Sequence, residues 1–201
     1  GDPVLGADPA FAGAYVLPGL VDMHVHHPPG MAVLDTQLFA LLFLAHGVTA
    51  VRDTGSFDGA IFETRRQIRA GAFPGPRVFA CGPLLDGDPP IWPQARVLHT
   101  KADAESAVAE LAGRGGDCVK VYSNLPRDLL AAVREASARA KLPVIGHVPL
   151  WVRFEDARLA DVQHLTGVPE LAPPWTWPHH RLDDWIAAIA TRWRYAEESR
   201  E

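Results

Sequence analysis

Four apolar runs end in side chains able to hold a metal ion, and their order is the most specific chemical feature of the chain. Leu20-Val21-Asp22-Met23-His24-Val25-His26 ends in two imidazoles, Cys118-Val119-Lys120-Val121-Tyr122 in an amine and a phenol, Val144-Ile145-Gly146-His147 in one imidazole and Val162-Gln163-His164 in another. Side chains alternate between the two faces of a strand, so His24 and His26 share a face, as do Lys120 and Tyr122. An H-x-H pair then stands about 6.5 to 7 Å apart at the backbone, near enough to grip one ion at bonds of about 2.1 Å. With nine histidines in 201 residues, one such pair can arise by accident. His147 and His164, each closing a later run with β-branched residues, turn the pair into a set. Imidazole suits zinc, and imidazole with carboxylate-type oxygen suits a hydrolytic zinc, nickel or iron centre.

Lys120 is the odd member, because a cation beside metal ions repels them. Either it stretches its stem along the rim to solvent, or desolvation near cations lowers its pKa from about 10.4 and the neutral amine adds carbon dioxide. The resulting anionic carbamate could bridge two metals. Tyr122, on the Lys120 face, is the candidate for touching substrate, with an interior packing role as the alternative.

The elements that must position these groups alternate. Leu34 to His46 reads as a helix stopped by Gly47, Thr49 to Asp53 as a strand, Gly59 to Ala70 as a helix and Arg77 to Cys81 as a strand. Gly82 to Pro93 is rich in proline and glycine and is expected to be irregular. Ala102 to Ala112 and Arg127 to Ala140 are amphipathic helices, a short helix ends at Asp156 to Leu159, and the strand at Asp161 to His164 is the sixth. Such alternation implies βαβ units and a parallel sheet. A barrel of eight units uses about 31 residues per unit, and three units separate His24 from Lys120 at about that spacing. Ligands on the C-terminal ends of successive strands fit a ring better than an open sheet. No nucleotide-binding glycine motif follows a strand. The expected fold class is therefore α/β of the (β/α)8 TIM-barrel type, incomplete over about six units. Strands 7 and 8 are not found: the tail offers a proline- and tryptophan-rich stretch, Pro169 to Pro178, then a helix over Leu182 to Glu198.

A hydrophobic content of 48% supports a buried core. A net charge of -5 with no basic cluster beyond Arg65-Arg66 argues against nucleic acid and anionic membrane surfaces, and no apolar stretch approaches the roughly 20 residues of a membrane span. Cys81 and Cys118 are too few for a disulfide framework or a C-x-x-C zinc site, and read as small buried apolar side chains. The start at Gly1, with no leader pattern, is read as a missing native N-terminus. The compartment stays open, the cytoplasm being the default and export allowed.

In order, Val16-Leu-Pro-Gly-Leu-Val-Asp-Met-His-Val-His26, Gly47-Val-Thr-Ala-Val-Arg-Asp-Thr-Gly55, Gly82-Pro-Leu-Leu-Asp-Gly87, Val119-Lys-Val-Tyr-Ser123, Gly146-His-Val-Pro149 and Gln163-His-Leu-Thr-Gly167 resemble the amidohydrolase superfamily, nearest its imidazolonepropionase-like and prolidase-like branch. The resemblance implies a (β/α)8 barrel, a small β-sandwich formed by the chain ends and a binuclear zinc site. By position, His24 and His26 would bind the more buried zinc ion, carbamylated Lys120 would bridge, and His147 and His164 would bind the second. Residues 1–15 would be a remnant of the sandwich and 16–201 a partial barrel. The family's general base, an Asp ending strand 8, has no counterpart here, so no catalytic residue is assigned.

The leading expectation is a metal-dependent amidohydrolase cleaving an amide, cyclic amide or dipeptide C–N bond in a small-molecule substrate. The alternatives are a mononuclear, deaminase-like hydrolase with Lys120 unmodified, and a truncated barrel that only binds metal or self-associates as a homo-oligomer through open sheet edges. His27 is expected in a loop or supporting role, His46 at a helix end, and His99, His179 and His180 at the surface. Asp22 and Asp53 are candidate acceptors for imidazole N–H groups. Trp92, Trp175 and Trp177 are read as covering the mouth or packing in loops.

Overall fold

Apolar runs bounded by glycine and proline become short parallel strands in the computed structural model, which describes residues 13, 15, 17–27, 36–56 and 59–167. In chain order these are β1 (Leu20–Val25), α1 (Thr36–Ala45), β2 (Val48–Asp53), α2 (Ala60–Arg69), β3 (Arg77–Ala80), β4 (Leu85–Asp86), β5 (Arg96–Val97), α3 (Lys101–Gly113), β6 (Val119–Val121), α4 (Arg127–Ala140), β7 (Val144–Gly146), α5 (Phe154–Ala157) and β8 (Asp161–Val162), followed by a 3-10 turn, Gln163–Leu165. Every strand pairing among them is parallel. The strands form two sheets, ordered β1-β2-β3 and β5-β4-β6-β7-β8.

The helices form where the sequence supplies both an apolar stripe and an end signal. On α4, Leu129, Leu130, Val133 and Ala136 recur at helical spacing and are buried, and Lys141 leaves the helix in the left-handed conformation. Thr100 caps α3 by accepting from the Asp103 N–H at 3.1 Å while the Asp103 carboxylate accepts from the Thr100 N–H at 2.8 Å, a reciprocal capping box. Together α3 and α4 cover β6 and β7 with one large core that includes Leu111, Val119, Val121, Leu130 and Val133. The first sheet has a smaller core of Val25, Val51, Ile61, Val78 and Ala80.

The two sheets meet at a seam between β3 and the start of β6. The Asp117 N–H donates to the Ala80 carbonyl at 2.8 Å, the Asp117 carboxylate accepts from the Ala80 N–H at 2.8 Å, and Arg65 binds the same carboxylate at 2.8 Å. Cys81 and Cys118 lie on this seam and are joined in a disulfide with Cα atoms 4.5 Å apart. This corrects the expectation of two separate thiols. Both are buried, as read from the sequence, but only the meeting of β3 with β6 places residues 37 apart side by side.

The expected irregularity of Gly82 to Pro93 also needs correction. Leu85 slots beside Val121 as β4, and its carbonyl accepts from the Tyr122 N–H at 2.9 Å. Apart from Gly13 and Tyr15, the sandwich remnant expected at 1–15 lies outside the described residues, as do Trp175, Trp177, His179, His180 and the helix expected over 182–198. No helix among the described residues is long and apolar enough to cross a membrane.

Candidate metal centre

His24 and His26 leave the C-terminal end of β1 on one face, as strand parity requires, and their Nε2 atoms stand 3.3 Å apart. Two nitrogens bound to a tetrahedral ion at about 2.05 Å would be separated by about 3.3 Å. The Nδ1 of His26 faces the Gly55 carbonyl at 2.9 Å. A carbonyl only accepts, so Nδ1 carries the proton and Nε2 presents its lone pair toward His24. Either an Nε2–H of His24 donating to that lone pair or a cation held between the two rings accounts for the facing nitrogens.

From the other sheet comes His147, which is buried and follows Gly146. Gly146 has φ 139°, and a Cβ there would overlap the Val121 carbonyl, so glycine is what lets β7 press against β6 just before His147. The Nδ1 of His147 is hydrogen-bonded to the Ser123 hydroxyl at 2.9 Å, while its Nε2 is buried with no hydrogen-bond partner. Orphaned imidazole nitrogens are costly unless something binds them, and a metal ion fits this one.

His164 departs from the sequence reading. It was expected at the end of a strand, but β8 ends at Val162 and His164 sits in the 3-10 turn with φ 56° and ψ 17°. The turn buries Gln163 and leaves His164 exposed at the rim. Its ring still reaches the others, with centroids 4.5 Å from His24 and 5.2 Å from His147. The four imidazoles thus meet at one end of the strands although they come from two sheets.

Lys120 lies among them, 1% exposed. Its amine donates to Gln163 Oε1. Burial, reinforced by the positive charge of Arg52 and opposed by Asp161, lowers the Lys120 pKa to about 7, so much of the amine is neutral near neutral pH. Burial and then Lys120 are also the leading causes that lower His24 to about 4 and His147 to about 2. His164 is lowered for the same reasons. Neutral imidazoles are the form that binds metal.

Tyr122 stacks on His147 with ring centroids 4.0 Å apart, and its hydroxyl accepts from Trp92 Nε1 at 2.9 Å. Lys120 Nζ is 6.0 Å from the centre of the Tyr122 ring. Among the described residues, no group of three or more His, Cys, Asp or Glu side chains is placed to hold a metal ion. The facing nitrogens are those of His24 and His26, and the His164 ring lies nearer His24 than His147.

The supporting groups differ from those expected. Asp22 accepts from the backbone N–H of His24 at 3.0 Å rather than from an imidazole. Asp53, fully buried, accepts from the backbone N–H groups of His27 at 2.7 Å and Gly55 at 3.1 Å, so it shapes the chain after β1 and β2. Burial raises its pKa to about 7, against the lowering effect of those two bonds. The imidazole-orienting roles fall to the Gly55 carbonyl and Ser123, neither singled out from the sequence. Ser123 escaped because strand parity sets it opposite Tyr122, whereas β6 ends at Val121 and parity no longer applies. His27 is buried against Phe39, its ring 5.6 Å away. His46, just after α1, places Nδ1 2.8 Å from the Leu42 carbonyl and is exposed, as is His99.

Residues 15–161 match the family described as the Amidohydrolase family. Among solved structures, the chain is similar to a bottromycin amidohydrolase at 29% identity and TM-score 0.66, covering 86% of this chain and 38% of that one. It is also similar to a Bifidobacterium longum protein assigned as a prolidase, at 26% identity and TM-score 0.57, covering 65% of this chain and 35% of that one. A Xaa-Pro dipeptidase with methionine bound in its active site shares the fold at 23% identity and TM-score 0.53, over 65% of this chain and 43% of that one. The chain therefore spans between 35% and 43% of the length of these three proteins. No curated protein matches it. The matches make the fold a portion of the TIM-barrel type.

Proposed function

The chain belongs to the amidohydrolase family, and from that premise we propose that it supplies the metal-binding portion of a hydrolase that cleaves a C–N bond in an amide, cyclic amide or dipeptide. The observation that carries this reading is the convergence of His24, His26, His147 and His164 with buried Lys120, three of the imidazoles linked through His164 at 4.5 and 5.2 Å.

In the proposed holoenzyme His24 and His26 would hold one zinc ion and His147 and His164 a second, with Lys120, as its carbamate, as a further ligand. When bound, such ions would bring the pKa of a water toward about 7 and polarise the scissile carbonyl. The residues of this chain do the rest by placement. The Gly55 carbonyl fixes which nitrogen His26 offers, Ser123 orients His147, and the burial of Lys120 favours the neutral amine that carbon dioxide can add to. Tyr122, immobilised against His147, faces the substrate. The proton carrier is proposed to be an Asp of a further strand outside the described residues, so turnover is a property proposed for the whole protein.

Metal analysis after zinc loading in bicarbonate tests this. Two ions per chain, falling to one in His147→Ala, are expected, with hydrolysis of a dipeptide or N-acyl amino acid by the whole protein. One ion regardless of bicarbonate would mean the mononuclear reading, and none would overturn the proposal.

A further inference from the structure

The segment between β4 and β5 is held down more firmly than an exposed connection needs to be. Asp86 is fully buried, and its carboxylate accepts from the backbone N–H groups of Gly87 at 3.0 Å, Asn124 at 2.7 Å and Ile91 at 2.9 Å. The Asn124 amide returns a bond to the Pro89 carbonyl at 2.7 Å. Gly87 lies so close to the chain after β6 that a Cβ would overlap the Asn124 carbonyl oxygen. One carboxylate thus ties Gly87 and Ile91 to the chain just after β6, the strand that carries Lys120.

Trp92 stands at the end of this braced segment, 51% exposed. Its single polar atom is already used, because Nε1 donates to the Tyr122 hydroxyl at 2.9 Å. What remains to offer is the indole face. Tyr122 cannot swing away from it, being stacked on His147 at 4.0 Å, and its hydroxyl, which accepts from Trp92, keeps its own proton to donate. A large apolar ring is half-exposed beside the Tyr122 hydroxyl, whose own ring stacks on His147 of the imidazole cluster.

We propose that Trp92 is a specificity-determining residue: with Tyr122 it forms the wall of a side-chain pocket that selects substrates carrying a large apolar or aromatic group next to the scissile C–N bond. This rests on the hydrolase reading above and adds to it the chemical class of the flanking group. The indole covers the flanking group, and the Tyr122 O–H donates to a substrate oxygen.

The test compares kcat/KM of the zinc-loaded whole protein for two matched substrates, N-acetylglycine and N-acetylphenylalanine, and separately measures binding of N-acetylphenylalanine to the metal-free protein by calorimetry. Trp92→Ala is expected to lower the phenylalanine-to-glycine ratio about tenfold, through KM, and to weaken binding of N-acetylphenylalanine by a similar factor. Trp92→Phe, which keeps a ring but loses the N–H, should fall between, and serves if the alanine variant folds poorly. An unchanged ratio together with unchanged binding overturns the pocket. Should neither compound be hydrolysed while Trp92→Ala still weakens binding, the hydrolase reading fails and the pocket stands.

Discussion

The two sheets contribute two imidazoles each, yet they hold them very differently. His147 emerges from β7, a strand buried along its whole length and packed under α3 and α4. His24 and His26 emerge from β1, where Leu20, Val21 and Met23 are 62%, 54% and 51% exposed, and the neighbouring α1 leaves Leu38, Leu41 and Leu42 between 41% and 45% exposed. One half of the centre rests on a finished core and the other on an open edge. Ligand placement in the β6–β7 half is fixed by packing, whereas in the β1 half it depends on local hydrogen bonds such as that from His26 to Gly55. A row of exposed apolar side chains along one strand and one helix is the kind of surface that further chain normally covers.

The comparison breaks most readily at the level of stability. Leu130→Ala, in the core of the second half, should cost about 2 to 5 kcal/mol, whereas Leu41→Ala on the exposed face of α1 should stay within about 0.5 kcal/mol. Urea unfolding of the two variants measures both, and equal losses would show that the first half is packed as well as the second.

Next in size is the link between the halves. Reducing the Cys81–Cys118 disulfide, or replacing both residues by serine, should lower stability by about 2 to 4 kcal/mol. The measurement is the denaturation midpoint with and without reductant, with the thiols counted under denaturing conditions. Free thiols in the untreated protein would remove the staple from the description.

Buried titrating groups sharpen the contrast because they respond to pH with opposite sign. Lys120 has its folded pKa lowered from 10.5 to about 7, so between those values the unfolded chain binds a proton that the folded chain does not. Its contribution is present above about 10.5 and lost as pH falls toward 7. Lys120→Met should therefore stabilise the metal-free protein by a few kcal/mol, on the order of magnitude of a buried charge, near pH 7, and the gain should shrink as pH rises. Asp53 is raised from 3.8 to about 7, so there the folded chain binds the extra proton and stability is lost as pH rises from about 4 through 7. Stability against pH for each variant checks the two signs, and parallel curves would contradict the assigned environments.

The smallest expected effect concerns the fit of β7 to β6. Gly146→Ala puts a Cβ onto the Val121 carbonyl at a positive φ and should cost about 1 to 3 kcal/mol. If the centre is organised as proposed, zinc loading of the second ion should weaken along with it, leaving the first ion bound.

Much of this was readable in advance because local rules and the fold agreed. The stripe of Leu129, Leu130, Val133 and Ala136 gave α4 its observed limits, and parity placed His24 and His26 on one face of β1. The misses share another cause. The sequence places His164 at the end of a strand over Asp161 to His164, but β8 has only the length of its contact with β7, two residues. The chain then turns, burying Gln163 against Lys120 and swinging His164 to the rim. Ser123 lies just past the end of β6 and Asp86 ends the two-residue β4, and nothing in their spacing distinguishes them from surface residues.

The amino-acid order by itself determined the parallel strand and helix alternation and the strand ends near which most of the imidazoles lie, since these follow from periodicity over a few residues. Only the tertiary structure decided that Cys81 meets Cys118, that Gln163 reaches Lys120 and that Trp92 reaches Tyr122. Those contacts join residues 30 or more apart, and their partners are set by which strands lie side by side and where each one stops, which no local pattern encodes.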